Sequence, residues 1–186
     1  MKTQFDIDTV VEKGIIQNEL DYDRALIADR KLRLLAKDNP YFKSLRKKLR
    51  SIIEIYESSE WKNVEKIDQH KLIESEKAER AAEEERKFLE TRKNAIRARL
   101  KEFDLTQENL ALLLGHKSKT YMSELMNGIK PFTLRDLTII SWVLKIEIKL
   151  LVPVFLSNED QIKVKEAAIQ LANPKLKISR KNKIVI

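Results

Sequence analysis

The chain has no cysteine, and only three glycines and four prolines occur among its 186 residues. Without cysteine, disulfides and thiolate chemistry are excluded, and a reducing compartment fits. So little glycine and proline leaves few points where a helix is forced to stop. No run of eighteen apolar residues occurs, so no membrane-spanning helix is expected. The first residues, MKTQFDIDTVVEK, carry Asp6 and Asp8 where a signal peptide needs an unbroken apolar core. The expected location is therefore the cytoplasm. There is no glycine-rich phosphate loop, no nucleophile elbow and no paired-carboxylate setting, so an enzyme is not expected. The two histidines, His70 and His116, lie far apart without ligand partners at metal-site spacing. No metal or cofactor is expected.

What the chain does contain is charge and helical periodicity. It has 37 Lys+Arg against 29 Asp+Glu, a net charge of +8 and a pI near 9.5. That balance favours a polyanionic partner. With 42% apolar and 35% charged residues, small helical cores are expected.

Phe5, Ile7, Val10 and Val11 fit one short helix ending at Gly14. Tyr22, Ala25, Leu26, Leu32 and Leu35 then keep near-helical spacing. Asn39-Pro40 reads as an N-cap followed by proline at the first helical position, where its missing N–H has no intrahelical partner. Phe42, Leu45, Leu49, Ile52, Ile53 and Tyr56 form a clean stripe. Two such helices joined by a short turn make an antiparallel hairpin. A pair this small is expected to leave some of both stripes for a partner or a second copy. Residues 62 to 90, including "ESEKAERAAEEERK", form a polar helix rich in i, i+4 pairs, expected to be a solvated spacer. From Arg92 the apolar pattern returns with Ile96, Leu100 and Phe103. Helices are expected at about 106–114, 118–126, 133–144 and 147–152, and a last one over Glu159–Ala172. The end, "KLKISRKNKIVI", has five basic residues and no acid and reads as a disordered basic tail or an edge strand.

The densest signal is "LLLGHKSKTYMSELMNG", Leu112 to Gly128. Thr106 caps a helix whose buried face is Leu110, Ala111, Leu113 and Leu114, and Gly115 stops it in the left-handed conformation. Ser118 caps a second helix, with Met122 and Leu125 inward, and Asn127-Gly128 ends it. Two short helices and a tight turn are helix-turn-helix geometry, with the N-terminus of the second helix aimed at the major groove. Between Arg92 and Arg135 there are nine basic residues against four acidic ones, a footprint suited to phosphates. Met122 and Trp142 are expected in the core, Trp61 at the end of the hairpin.

"LTQENLALLLG…S…MSELMNG" resembles the Cro/C1 (Xre-type) helix-turn-helix family over about 95–155. A Tyr-led helix, a second ending "IIEIYE", then "AIRARLKEFDLTQ", looks like the HigA-type antitoxins over about 20–155. Such antitoxins pair with HigB-type ribonuclease toxins and repress their own operon. The sequence departs from that pattern in the long charged helix, in the two turn residues His116 and Lys117, in Lys145 where glycine is common, and in Glu124 where a basic residue is common. At that position Glu124 is expected to repel phosphate.

The resemblance implies an all-α fold: an N-terminal helical hairpin (1–60), a long polar connecting helix (61–91), a five-helix Cro/C1-type domain (92–156), and a C-terminal helix and basic tail (157–186). It implies DNA contacts from Gln107, Ser118, Lys119, Thr120, Tyr121 and Ser123, with Lys130 and Arg135 as phosphate clamps. It implies partner contacts from Tyr22, Phe42, Leu45, Leu49, Ile52 and Tyr56. The expected function is an antitoxin and autorepressor, binding a double-stranded operator as a homodimer and holding a HigB-like toxin. The alternative is a stand-alone Xre-type regulator. A third reading, a scaffold that kept the fold and lost DNA binding, rests on Glu124.

Overall fold

The structure, a computed structural model, describes residues 5–62, 68–153, 158–173 and 176. The described residues are all helical apart from turns and connections, as the periodicity implies. They fall into two compact units, Met1–Leu151 and Val152–Ile186.

The first unit begins with α1 (Ile7–Lys13), α2 (Glu19–Leu35) and α3 (Pro40–Glu60). Gly14 ends α1 in the left-handed conformation, and Asn39 caps α3 by accepting from the Tyr41 amide at 2.9 Å. Ala25, Ala28 and Leu32 of α2 meet Phe42, Leu45, Leu49, Ile52 and Ile53 of α3 in one core, with Ile7, Val10 and Ile16 closing its side. Burying each large aliphatic side chain of this set contributes about 1.5–3 kcal/mol. Two reciprocal bonds lock the open end of the hairpin. Tyr22 donates to Glu57 at 2.7 Å, Tyr56 donates to Glu19 at 2.8 Å, and the two rings stack with centroids 5.0 Å apart.

The expected solvated spacer takes a different form. α4 runs unbroken from Gln69 to Glu102, 34 residues, so the charged stretch and the first helix of the following bundle are one element. Its polar half packs against α2. Ala78 and Ala82 are buried there, and Arg24 forks onto Glu85 at 2.8 and 2.5 Å. Two alanines are a weak stripe to read in a sequence, yet they let two helices approach closely. The first 151 residues therefore form one compact unit across the expected boundaries at 60 and 92.

The C-terminal half of α4 carries α5 (Gln107–Leu114), α6 (Lys119–Asn127), α7 (Leu134–Leu144) and α8 (Ile148–Leu151). Its arginines cap the ends of those helices. Arg99 donates to the Leu144 carbonyl at 2.7 Å and Arg92 to that of Leu151 at 3.4 Å. Cationic groups at helix C-termini are favourable. Arg92 is buried, within 5.7 Å of the Phe88 ring and 5.3 Å of the Phe132 ring. Met122 is in the core as expected, but Trp142 is 75% exposed. The inward face of α7 is Leu137, Ile140 and Leu144, and Trp142 projects from the other side. Lys145, standing where the resemblance implies glycine, ends α7 with a left-handed φ of 55°. In the second unit, α9 spans Asn158–Leu171, close to the expected helix. The possible strand or basic tail lies outside the described residues except for Leu176.

α2 also carries two carboxylates, Glu19 and Asp23, each with one buried oxygen that has no hydrogen-bond partner. Burial, reinforced by Glu79 and Glu19, pushes Asp23 up from 3.8 to about 6. The folded chain thus holds the proton more tightly than the unfolded one, a contribution fully present below pH 3.8 and lost as pH rises through 6. Asp23→Asn is expected to raise the unfolding midpoint at pH 7 relative to wild type. It should also flatten the stability profile between pH 4 and 6. Urea denaturation from pH 4 to pH 7 checks both.

Candidate nucleic-acid interface

The caps and stops of the α5–turn–α6 element form as its sequence directs, but Leu113, expected on the buried face, is 43% exposed. The Thr106 hydroxyl accepts from the Asn109 amide at 3.1 Å, and the Asn109 side chain accepts from the Thr106 amide at 2.8 Å. Gly115 stops α5 at φ 81°, and the next amide, His116, donates back to Ala111 at 2.8 Å. Ser118 caps α6, accepting from the Tyr121 amide at 3.1 Å. Gly128 stops α6 at φ 69° and is doubly constrained, because a Cβ there would lie 2.9 Å from Leu89 of α4.

The expected DNA-contacting residues divide into two groups. Ser118 and Lys119 are exposed at the start of α6, with Lys117 beside them. Lys119 reaches Glu108 at 2.7 Å, but both side chains are solvated, so the pair is a weak tether. Gln107 is half-buried in the first turn of α5. Arg135 is exposed and donates to the Leu114 carbonyl at the end of α5, at 3.1 Å.

The others face protein. Thr120 accepts from Asn39 of the hairpin at 3.3 Å. Tyr121 meets the His116 ring edge-on, centroids 5.0 Å apart, with the Lys130 ammonium 5.4 Å from its own ring centre. Ser123 receives the Asn127 amide group, at 2.8 Å on its carbonyl and 3.3 Å on its hydroxyl. Lys130 is bound to Asp8 at 2.6 Å and to Glu124 at 3.3 Å. Burial lowers the Lys130 pKa, but Asp8 and Glu124 outweigh it and hold the ammonium above its ordinary range. It is engaged with carboxylates rather than open as a clamp.

Glu124 corrects a sequence expectation. It does not project towards a phosphate but is 2% exposed, accepting from the Tyr41 hydroxyl at 2.6 Å and pairing with Lys130. Burial and the Glu124 carboxylate both raise the Tyr41 pKa, so that hydroxyl stays a donor. At the far end of α6, Lys31 donates to the Asn127 carbonyl at 3.1 Å and Lys93 to the Asn127 side chain at 2.9 Å. Burial brings Lys31 down to about 8.

Much of the basic excess between Arg92 and Arg135 is thus turned inward, onto helix ends and carboxylates. Arg97, Lys101, Lys117, Lys119 and Arg135 remain at the surface. The expected partner-contacting residues are likewise engaged within the chain. Phe42, Leu45, Leu49 and Ile52 are buried, and Tyr22 and Tyr56 stack on each other. Sequence reading missed Lys31 and Tyr41 as residues that meet α6 and Asp8 as the partner of Lys130 just beyond it, and saw Asn39 only as a cap. A cavity of about 590 Å³ at the opposite end of the hairpin is lined by Glu19, Tyr56, Glu60, Lys71 and Glu74. Among the described residues, no three metal-ligating side chains come together, and no helix is long and apolar enough to cross a membrane.

Glu124→Lys separates a phosphate-repelling residue from a buried anchor. The substitution places a second cation beside Lys130 in a closed site, and breaking a buried pair costs about 3 kcal/mol or more. A large drop in the thermal midpoint is expected, where a surface change would leave it nearly unmoved. Compared with family models, curated proteins and solved structures, the chain matches none.

Proposed function

We propose that the chain is a sequence-specific DNA-binding regulator that reads its site with α6. The observation that carries this is the presentation of the α6 N-terminus. Ser118 and Lys119, with Lys117 before them, stand exposed on a capped helix fixed between two glycine stops. Side chains in the first turn of such a helix reach base edges, and its free amides favour phosphate oxygens. Arg97, Lys101 and Arg135 supply further exposed positive charge. The resemblance to Xre-type domains supports the same reading.

The resemblance also implies an antitoxin holding a HigB-like toxin through the hairpin. Against that role stands a hairpin that closes its own core, because the side chains expected to meet a toxin are already packed. This favours the stand-alone regulator. A toxin would have to meet the exposed Ile15, Leu34 or Ile55 instead.

A homodimer on an inverted repeat follows from the small contact that one module makes. Leu134 and Trp142, 73% and 75% exposed on one side of α7, offer a second copy an apolar surface.

Footprinting over the chain's own upstream DNA tests the function. The expected result is a protected inverted repeat, weakened about tenfold or more by Lys119→Ala. Affinity should fall steeply with salt, and no protection at any salt sinks the proposal. Trp142→Glu should leave the fold intact and shift the sedimenting species from dimer to monomer. An unchanged sedimentation coefficient rules out this dimer surface.

A further inference from the structure

α6 has two sides. Met122, Leu125 and Met126 are buried on the side supported by α4 and α5. Thr120 and Glu124, at i and i+4, line the opposite side, and the Asn127 carbonyl closes the end of the helix. A helix that reads base edges inserts the side away from its support. Here that side is already occupied. Asn39 holds Thr120, Tyr41 holds Glu124, and Lys31 holds the Asn127 carbonyl. Just beyond, Asp8 binds Lys130, the Ile7 amide donates to the Ile129 carbonyl, and the Ile129 side chain is buried in the hairpin core.

The dimensions decide what this means. The major groove is about 12 Å wide, and a helix with its side chains is about 10–12 Å across. The groove that admits α6 has no room for Tyr41 and the first turn of α3 against the same face. We infer that the N-terminal hairpin is an autoinhibitory cover on α6, and that the described arrangement is the closed form. This rests on the proposal that α6 reads DNA. Against α6 itself the cover is largely polar side-chain tips, with one apolar plug, Ile129, and α2 is seated separately on α4 through Ala78, Ala82 and the Arg24–Glu85 pair. It holds a definite closed position and still exchanges its bonds for water when it opens. DNA and the hairpin compete for one helix face, so the position of the closing equilibrium sets the apparent affinity.

The absence of cysteine gives a clean test in the full chain. Asp8→Cys with Lys130→Cys supplies a single thiol pair across the contact, which a short bifunctional maleimide joins. Binding of a labelled fragment of the chain's upstream DNA is then measured before and after cross-linking. Closure should weaken binding by about tenfold or more, within the usual range of coupling between sites. Loosening the cover with Asn39→Ala and Tyr41→Phe should tighten binding above wild type. If that double variant loses its helical circular dichroism, Tyr41→Phe alone, which keeps the ring, carries the comparison. Equal binding by the linked and unlinked forms, or weaker binding by the loosened one, overturns the cover while leaving DNA binding in place. If no form binds in a salt-dependent way, or if Lys119→Ala changes none of them, the DNA reading fails and the cover fails with it.

Discussion

The buried Glu124 carboxylate is the constraint around which the first unit is arranged. A charge taken out of water has to be paired and hydrogen-bonded, or the chain does not keep it there. Glu124 meets that demand with partners from two directions, the Tyr41 hydroxyl from the hairpin and the Lys130 ammonium from its own side. Lys130 in turn needs Asp8, which fixes the start of α1. One carboxylate thus ties three segments that are far apart in sequence. Removing Tyr41 or Lys130 leaves the Glu124 carboxylate buried and short of a partner.

α4 supplies the other half of the arrangement. It is a single helix with two unlike faces in series. Two alanines and an ion pair meet α2 in the first half, and Arg92, Ile96 and Leu100 support the following helices in the second. Helix-forming residues keep it continuous although its first half has almost no apolar stripe. The hairpin and the α5–α6 element are therefore positioned by one rod as well as by direct bonds.

Local chemistry was legible in the sequence, and distant pairing was not. Asn39, Thr106 and Ser118 act as caps and Gly115 and Gly128 as stops, because capping depends on residues only a few positions away. The stripe from Phe42 to Ile53 named the hairpin core for the same reason. It did not show how completely that core would close, since Ile7, Ile16 and Ile129 arrive from elsewhere in the chain. Glu124 looked like a surface acid because its donor, Tyr41, is 83 residues away. Trp142 looked like core because it lies on a helix face, but the buried face of α7 is Leu137, Ile140 and Leu144, and Trp142 falls outside it. The positive count around α6 overstated the surface charge, because a count does not separate an arginine that caps a helix end from one that faces solvent.

In the proposed cover the Asp8–Lys130 pair gives the closed form an ionic component, and the proposed encounter with DNA is ionic as well. Added salt acts on both. It weakens attraction to phosphates and, less strongly because the pair is partly sheltered, the grip of the hairpin on α6. Under the proposal that α6 reads DNA, the two effects have opposite signs for its occupancy. A plot of affinity against ionic strength would then be shallower than the number of phosphates touched, and counting contacts from its slope would come out low.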